Sequence, residues 1–229
     1  MKKVLGLCTG SLYNCFGNDL IKLTKFYEKN KIYNIEITLG KSEEIDCLTF
    51  SQEVISFLDK CLFKSIHFPF KERVNKENNI ILNKIYSFYD RYRFNHITVH
   101  PNMVDDFSLL NTNNYNISIE NVKLKRDFDS EKIKLVLDNN ALGFVLDTSH
   151  AFSYNNDKIK ELFSLFKNKC KLIHLSDLNH KLVYLAPKKR KEIIINLIQK
   201  VNFPIFIEVD ASVEEDVIKE ITILQEYFI

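Results

Sequence analysis

Of the six histidines in this chain, five stand where an apolar, strand-like run ends or shortly beyond it. They are His67 in SIHFPF, His100 in ITVHP, His150 in FVLDTSH and His174 in LIHLSD, with His180 a few residues further on. Carboxylates hold the matching place in the same or neighbouring runs: Glu120 in ISIENV, Asp147 in FVLDTSH and Glu208 in FIEVD. A buried imidazole or carboxylate is costly unless it is paired or bound to metal. Its recurrence at one end of successive strands therefore points to a shared divalent-metal site. Zinc takes histidine nitrogen and carboxylate oxygen together, whereas manganese or magnesium prefers more carboxylate and water. A set this rich in histidine is expected to take Zn²⁺ first, then Mn²⁺ or Mg²⁺. His96 is an internal control: it starts its run instead of ending it, and it is assigned no function.

The elements that must carry these residues alternate regularly. Strand-like runs cover Val4–Cys8, Ile35–Leu39, Lys64–Phe68, Ile97–Val99, Ile117–Ile119, Phe144–Leu146, Leu172–Leu175 and Ile205–Val209. Between them lie segments with helical spacing. One is capped by Asp19, one begins at Ser51, one lies within Asn78–Tyr92, and a weaker one falls near Met103–Leu110. Ser130 caps another, with Gly143 suited to the turn out of it; Asp157 and Pro187 open two more, and Glu214, Glu215 and Asp216 lead into the last. Eight such units in 229 residues predict a closed α/β barrel, the (β/α)8 TIM barrel, as one domain over residues 1–229. An open doubly wound sheet is the competing fold. In the closed barrel the C-terminal strand ends converge, so the polar residues meet at one mouth.

Composition narrows the remaining classes. The chain is 45% hydrophobic with a formal charge of +2, too balanced to advertise a nucleic-acid binder. No GxGxxG turn or Walker A motif is present, so no nucleotide cofactor is expected. No apolar run approaches the ~20 residues needed to span a bilayer, and no membrane partner is expected. The five cysteines form no CxxC pair, which suggests free thiols and a cytoplasmic setting. The run Lys188–Lys191 reads as a solvated helix face, with phosphate binding as the sharper alternative. Phe68, Phe70, Phe107 and Tyr184 are candidates for lining a pocket.

The ordered set IHFPF, VHP, IEN, LDTSHAF, IHLSD with a trailing histidine, and IEV resembles the xylose isomerase-like TIM-barrel superfamily over essentially the whole chain. That superfamily includes sugar isomerases and epimerases and the endonuclease IV family. The epimerase branch implies one divalent ion held by Glu120, Asp147, His174 and Glu208, with Glu120 and Glu208 also moving protons at the substrate carbon. The endonuclease branch implies three zinc ions, adding His67, His100, His150 and His180. It also implies an Asp-x-His pair after strand seven, and here the sequence departs. Leu178 stands two before His180, and Asp177 is displaced by one residue.

Taken together, the expectation is an enzyme with one to three divalent ions that isomerises or epimerises a sugar or sugar phosphate. An endonuclease IV-like phosphodiesterase acting at abasic DNA is the alternative, and DNA is a partner only under that reading. A non-catalytic binding barrel is the third.

Overall fold

A strand buried on both faces needs apolar residues outward against helices and a second, alternating set inward. That alternation builds the barrel. The computed structural model describes residues 4–48, 50–122 and 130–228. Its strands are β1 (Val4–Cys8), β2 (Asn34–Thr38), β3 (Phe63–His67), β4 (His96–Val99), β5 (Ile117–Glu120), β6 (Gly143–Asp147), β7 (Cys170–Leu175) and β8 (Pro204–Ile207). Each pairs in parallel with the next, and β8 returns to β1 to close the sheet. The chain is a (β/α)8 barrel, and the open doubly wound alternative is excluded.

Helices form the outer layer. α1 (Tyr13–Phe16) and α2 (Leu20–Lys29) follow β1, and the Asp19 side chain accepts from the Lys22 amide at the start of α2. α3 (Glu44–Cys47) and α4 (Gln52–Lys60) follow β2, with Ser51 capping α4 through the Val54 amide. α5 (Ile80–Tyr92) follows β3, and α6 (Ser130–Asn139) precedes β6. α7 (Thr148–Phe152) and α8 (Lys158–Phe166) follow β6, α9 (Lys188–Lys200) follows β7, and α10 (Glu214–Gln225) follows β8. Outward strand residues such as Ile37, Ile97, Ile119 and Ile173 pack with Leu23, Phe57, Ile85 and Ile194 of the helices in one large buried cluster. Inside the barrel a separate apolar cluster is much smaller: Cys8, Val145, Leu172 and Phe206, with Phe63 against them.

Two local expectations are corrected. The weak helix near Met103–Leu110 is instead two single 3-10 turns, Pro101–Met103 and Phe107–Leu109. Asp106 accepts from both the amide and the hydroxyl of Ser108, which competes with helical pairing, and Val104 bridges to Val74. Gly143 does not turn the chain out of α6. The left-handed residue there is Ala141 (φ 52°), while Gly143 opens β6, where a Cβ would collide with the Ser118 hydroxyl. Its role is close packing inside the barrel. All five cysteines are free thiols.

Candidate metal centre

Each predicted residue reaches the mouth because its strand ends there. His67 and Asp147 are the last residues of β3 and β6, Glu120 is the last of β5, and His174 is the penultimate residue of β7. His100 and Glu208 directly follow β4 and β8, His150 lies on α7, and His180 sits in the loop after β7. The flanking motif residues fix this placement. The Asn121 side chain accepts from the Asp147 amide and donates to the Asp147 carbonyl, and the Thr148 hydroxyl bridges to the backbone of Ser176. Ser149 Oγ accepts from the His180 amide, holding a loop in which Asn179 and His180 are both left-handed (φ 58° and 53°). Two consecutive non-glycine residues in that region store backbone strain of about 1–3 kcal/mol each, a cost that tertiary contacts must sustain.

Glu120, Asp147, His174 and Glu208 bring one ligand atom each to within 4.8 Å of one another. Four buried atoms, Glu120 Oε2, Asp147 Oδ2, His174 Nδ1 and Glu208 Oε2, make no hydrogen bond there. Buried polar atoms are ordinarily satisfied, so four from four strands converging unsatisfied fit a cation that supplies the missing partner. Three carboxylate oxygens to one imidazole nitrogen is a harder set than the histidine count alone suggests; it suits Mn²⁺ or Mg²⁺ as well as Zn²⁺.

Histidines flank this core. His67 Nε2 and His100 Nε2 lie 3.3 and 3.4 Å from Glu120 Oε2, and His150 Nε2 lies 3.7 Å from Glu120 Oε1. The other ring nitrogen of His67 is 3.0 Å from the Phe68 carbonyl, which accepts from an Nδ1–H and leaves Nε2 facing Glu120. His67, His100 and Glu120 form another group close enough to share an ion, as do Asp147, His150 and His180, and His174 also belongs to groups with His67 and Glu208 and with Cys8 and Glu36. All eight predicted residues therefore meet at one end.

The charges respond strongly to this crowding. Burial would favour a neutral His67, but its close contact with Glu120 and the charges of Glu120, Glu36 and Glu208 outweigh it and push the imidazole up to about 9. Burial, reinforced by Glu120 and Glu208, drives the Asp147 carboxyl well above the usual carboxylate range. Glu120 moves the opposite way: burial resists, yet the neighbouring His174 and His100 hold it well below that range. Protons on His67 and Asp147 offset charge in this cluster, a role that a bound divalent ion would fill.

Two residues fall outside the expectation. Among the described residues Asp177 belongs to no such group; Arg190 donates to both Asp177 oxygens (2.5 and 2.9 Å), and the Asp177 amide donates to the Lys181 carbonyl. The same bond accounts for Arg190 of the basic run, while Lys191 donates to the Tyr184 carbonyl. Glu36, by contrast, escapes a search of strand ends and lies at the heart of the site, with Oε1 2.7 Å from His174 Nε2. Its signal is a carboxylate between Ile35 and Ile37 in a strand of a barrel buried on both faces.

A cavity of about 270 Å³ opens at the same end of the barrel, lined by Gly10, Asn14, Thr38, Phe70, Lys71 and Asp210 among others. The Phe70 ring stands 6.3 Å from that of His67, linking cavity and centre. Phe68 is buried core.

Solved structures share this architecture at low sequence identity. A sugar phosphate isomerase/epimerase from Parabacteroides distasonis matches with a TM-score of 0.70 and 16% identity, over 98% of this chain and 93% of its own. What this chain shares with such solved structures is the fold, a closed (β/α)8 barrel. Endonuclease IV from Thermus thermophilus matches at 0.69 and 12%, covering 99% and 98% of the two chains. D-psicose 3-epimerase from Clostridium cellulolyticum matches at 0.65 and 10%, covering 100% and 98%. No protein-family model matches the chain, and no curated protein matches it in sequence. Among the described residues, no helix is long and apolar enough to cross a membrane.

Proposed function

We propose that the protein is a divalent-metal-dependent isomerase or epimerase acting on a sugar or sugar phosphate. The observation that carries this reading is the convergence of four unsatisfied buried atoms from Glu120, Asp147, His174 and Glu208. A bound ion would supply Lewis-acid polarisation of the substrate carbonyl and offset charge developing on the sugar oxygens. Asp147 and His174, both fully buried, would hold that ion. Glu120 and Glu208 also move protons. One carboxylate takes the proton from the carbon beside the carbonyl and ends as the acid, while the other, starting protonated, gives its own proton to carbon or oxygen and ends as the carboxylate. Glu208, His100 and His150 are about one-fifth exposed, so substrate approaches from their side. His67 and His100 keep Glu120 oriented. The adjoining cavity offers hydroxyl, amide and carboxylate groups around two aromatic rings, Tyr13 and Phe70, a lining suited to a polyhydroxylated chain.

A second reading, an endonuclease IV-like phosphodiesterase acting at abasic DNA, has its own observation. The two flanking histidine groups could take additional ions, and a multi-ion site stabilises both attacking and leaving oxygens of a phosphodiester. The commitment of Asp177 to Arg190 weighs against it. The test is incubation of the protein with a ketose panel in deuterated water and, in parallel, with an abasic-site duplex. Deuterium incorporation into a sugar, lost in Glu120→Gln, is expected. Strand nicking without incorporation overturns the first reading in favour of the second, and metal content below one equivalent overturns both, leaving the binding barrel.

A further inference from the structure

Glu36 is fully buried in the middle of β2, with its neighbours Ile35 and Ile37 turned outward into the main core. Both of its oxygens already have partners. Oε1 accepts from Cys8 Sγ at 3.4 Å and lies 2.7 Å from His174 Nε2; Oε2 accepts from the Thr98 hydroxyl at 3.1 Å. At 2.7 Å the His174 contact is within hydrogen-bond distance, although its alignment falls short of a full hydrogen bond. The opposite ring nitrogen, Nδ1, lies 3.2 Å from Glu120 Oε2 and 3.1 Å from Glu208 Oε2. The imidazole therefore stands between one carboxylate below and the ligand set above.

A neutral imidazole has one N–H and one lone pair, and the group facing one nitrogen decides which end carries the proton. Carboxylates, which accept only, face both nitrogens; with a cation held among Glu120, Asp147 and Glu208, Nδ1 turns its lone pair to that cation and Glu36 is the acceptor that takes the Nε2–H. Thr98 and Cys8 hold the carboxylate from the other side. We infer that Glu36 is a positioning residue that fixes the tautomer and ring orientation of His174 so that Nδ1 faces the metal. This rests on the metal-centre reading above.

The test uses Zn²⁺ itself, in competition with a chromophoric chelator, on wild type and Glu36→Gln. Gln keeps the volume but presents a neutral amide that can donate to Nε2. Zn²⁺ affinity is expected to fall about 10- to 100-fold, the usual effect of losing a partner behind a ligating histidine, while far-UV circular dichroism stays unchanged. A folded Glu36→Gln that binds Zn²⁺ within about twofold of a tight-binding wild type overturns this inference but leaves the centre intact. A wild type that binds no Zn²⁺ overturns the centre as well. Should Glu36→Gln fail to fold, the ¹⁵N shifts of the His174 ring in zinc-loaded wild type decide the matter. Protonated Nε2 with ligated Nδ1 is expected, and protonated Nδ1 overturns the proposal.

Discussion

His96 and His67 are both buried imidazoles on adjacent strands of one barrel, yet they share no partner. His96 opens β4 at the N-terminal end of the barrel, where Nδ1 meets the Ser65 hydroxyl at 3.2 Å and Nε2 the Ser118 hydroxyl at 2.8 Å. His67 closes β3 at the mouth, facing the Glu120 carboxylate. Burial is the dominant influence on His96, whose hydrogen-bond partners are hydroxyls, and it outweighs the opposing charge of Glu36 to lower the imidazole to about 4. At His67 the carboxylates reverse that effect, whereas at His150, further out on α7, burial still outweighs Glu120 and lowers the imidazole to about 4. Burial alone therefore does not mark a functional histidine. What marks one is whether its neighbours are satisfied neutral groups or unsatisfied charges.

The largest effect that would sharpen this contrast is metal dependence of stability. A ligand that binds only the folded state adds about 4 kcal/mol at 1,000 times its Kd, or a Tm rise of roughly 10 °C for a chain of this size. Thermal melts of chelator-stripped and metal-loaded protein should show such a gain in wild type and in His96→Gln, and no gain in Glu120→Gln. Loss of the gain in His96→Gln would break the distinction between the two ends.

Next in size is a pH effect at the base, over a window that His150 at the mouth shares, since burial lowers that imidazole to about 4 as well. His96 is held neutral in the fold at about 4, against an ordinary 6.5. As pH falls from 6.5 towards 4, the unfolded chain takes up a proton that the folded protein refuses, so stability drops over that window. It is complete above the window and loses nothing further below it through this group. The span corresponds to about 3 kcal/mol. Urea titrations at successive pH values should show His96→Gln lacking that component, and an unchanged slope would mean that other groups carry it.

The smallest effect concerns the edge of the mouth. Asp177→Asn removes the charge-assisted pair with Arg190 and should lower stability by about 2 kcal/mol while leaving metal equivalents unchanged. Loss of one equivalent, measured by elemental analysis, would move Asp177 into the ligand set and strengthen the nuclease reading.

The strand-end residues are legible in the sequence because a parallel barrel converts a one-dimensional pattern, polar after apolar, into a common location. His67, His100, Glu120, Asp147, His174 and Glu208 need nothing but the end of a strand to be found. Glu36 is hidden because it sits mid-strand, where a carboxylate in a short run is easily taken for a solvent-facing residue. The Asp177–Arg190 pair joins a loop to the helix after it, and nothing in either segment's periodicity encodes the meeting. The β4–β5 connection misleads for a similar reason: Asp106 and Ser108 make a local bond that apolar spacing does not register.

The smallness of the apolar cluster inside the barrel has a practical consequence. The packing that holds this protein together lies almost wholly outside the sheet, between strand faces and helices, whereas the lumen contributes Cys8, Val145, Leu172 and Phe206 and little other apolar bulk. Scaffold and reaction chamber are therefore built from opposite faces of the same strands. A designer could exchange the chamber's furnishings in libraries and expect most variants to retain their shell.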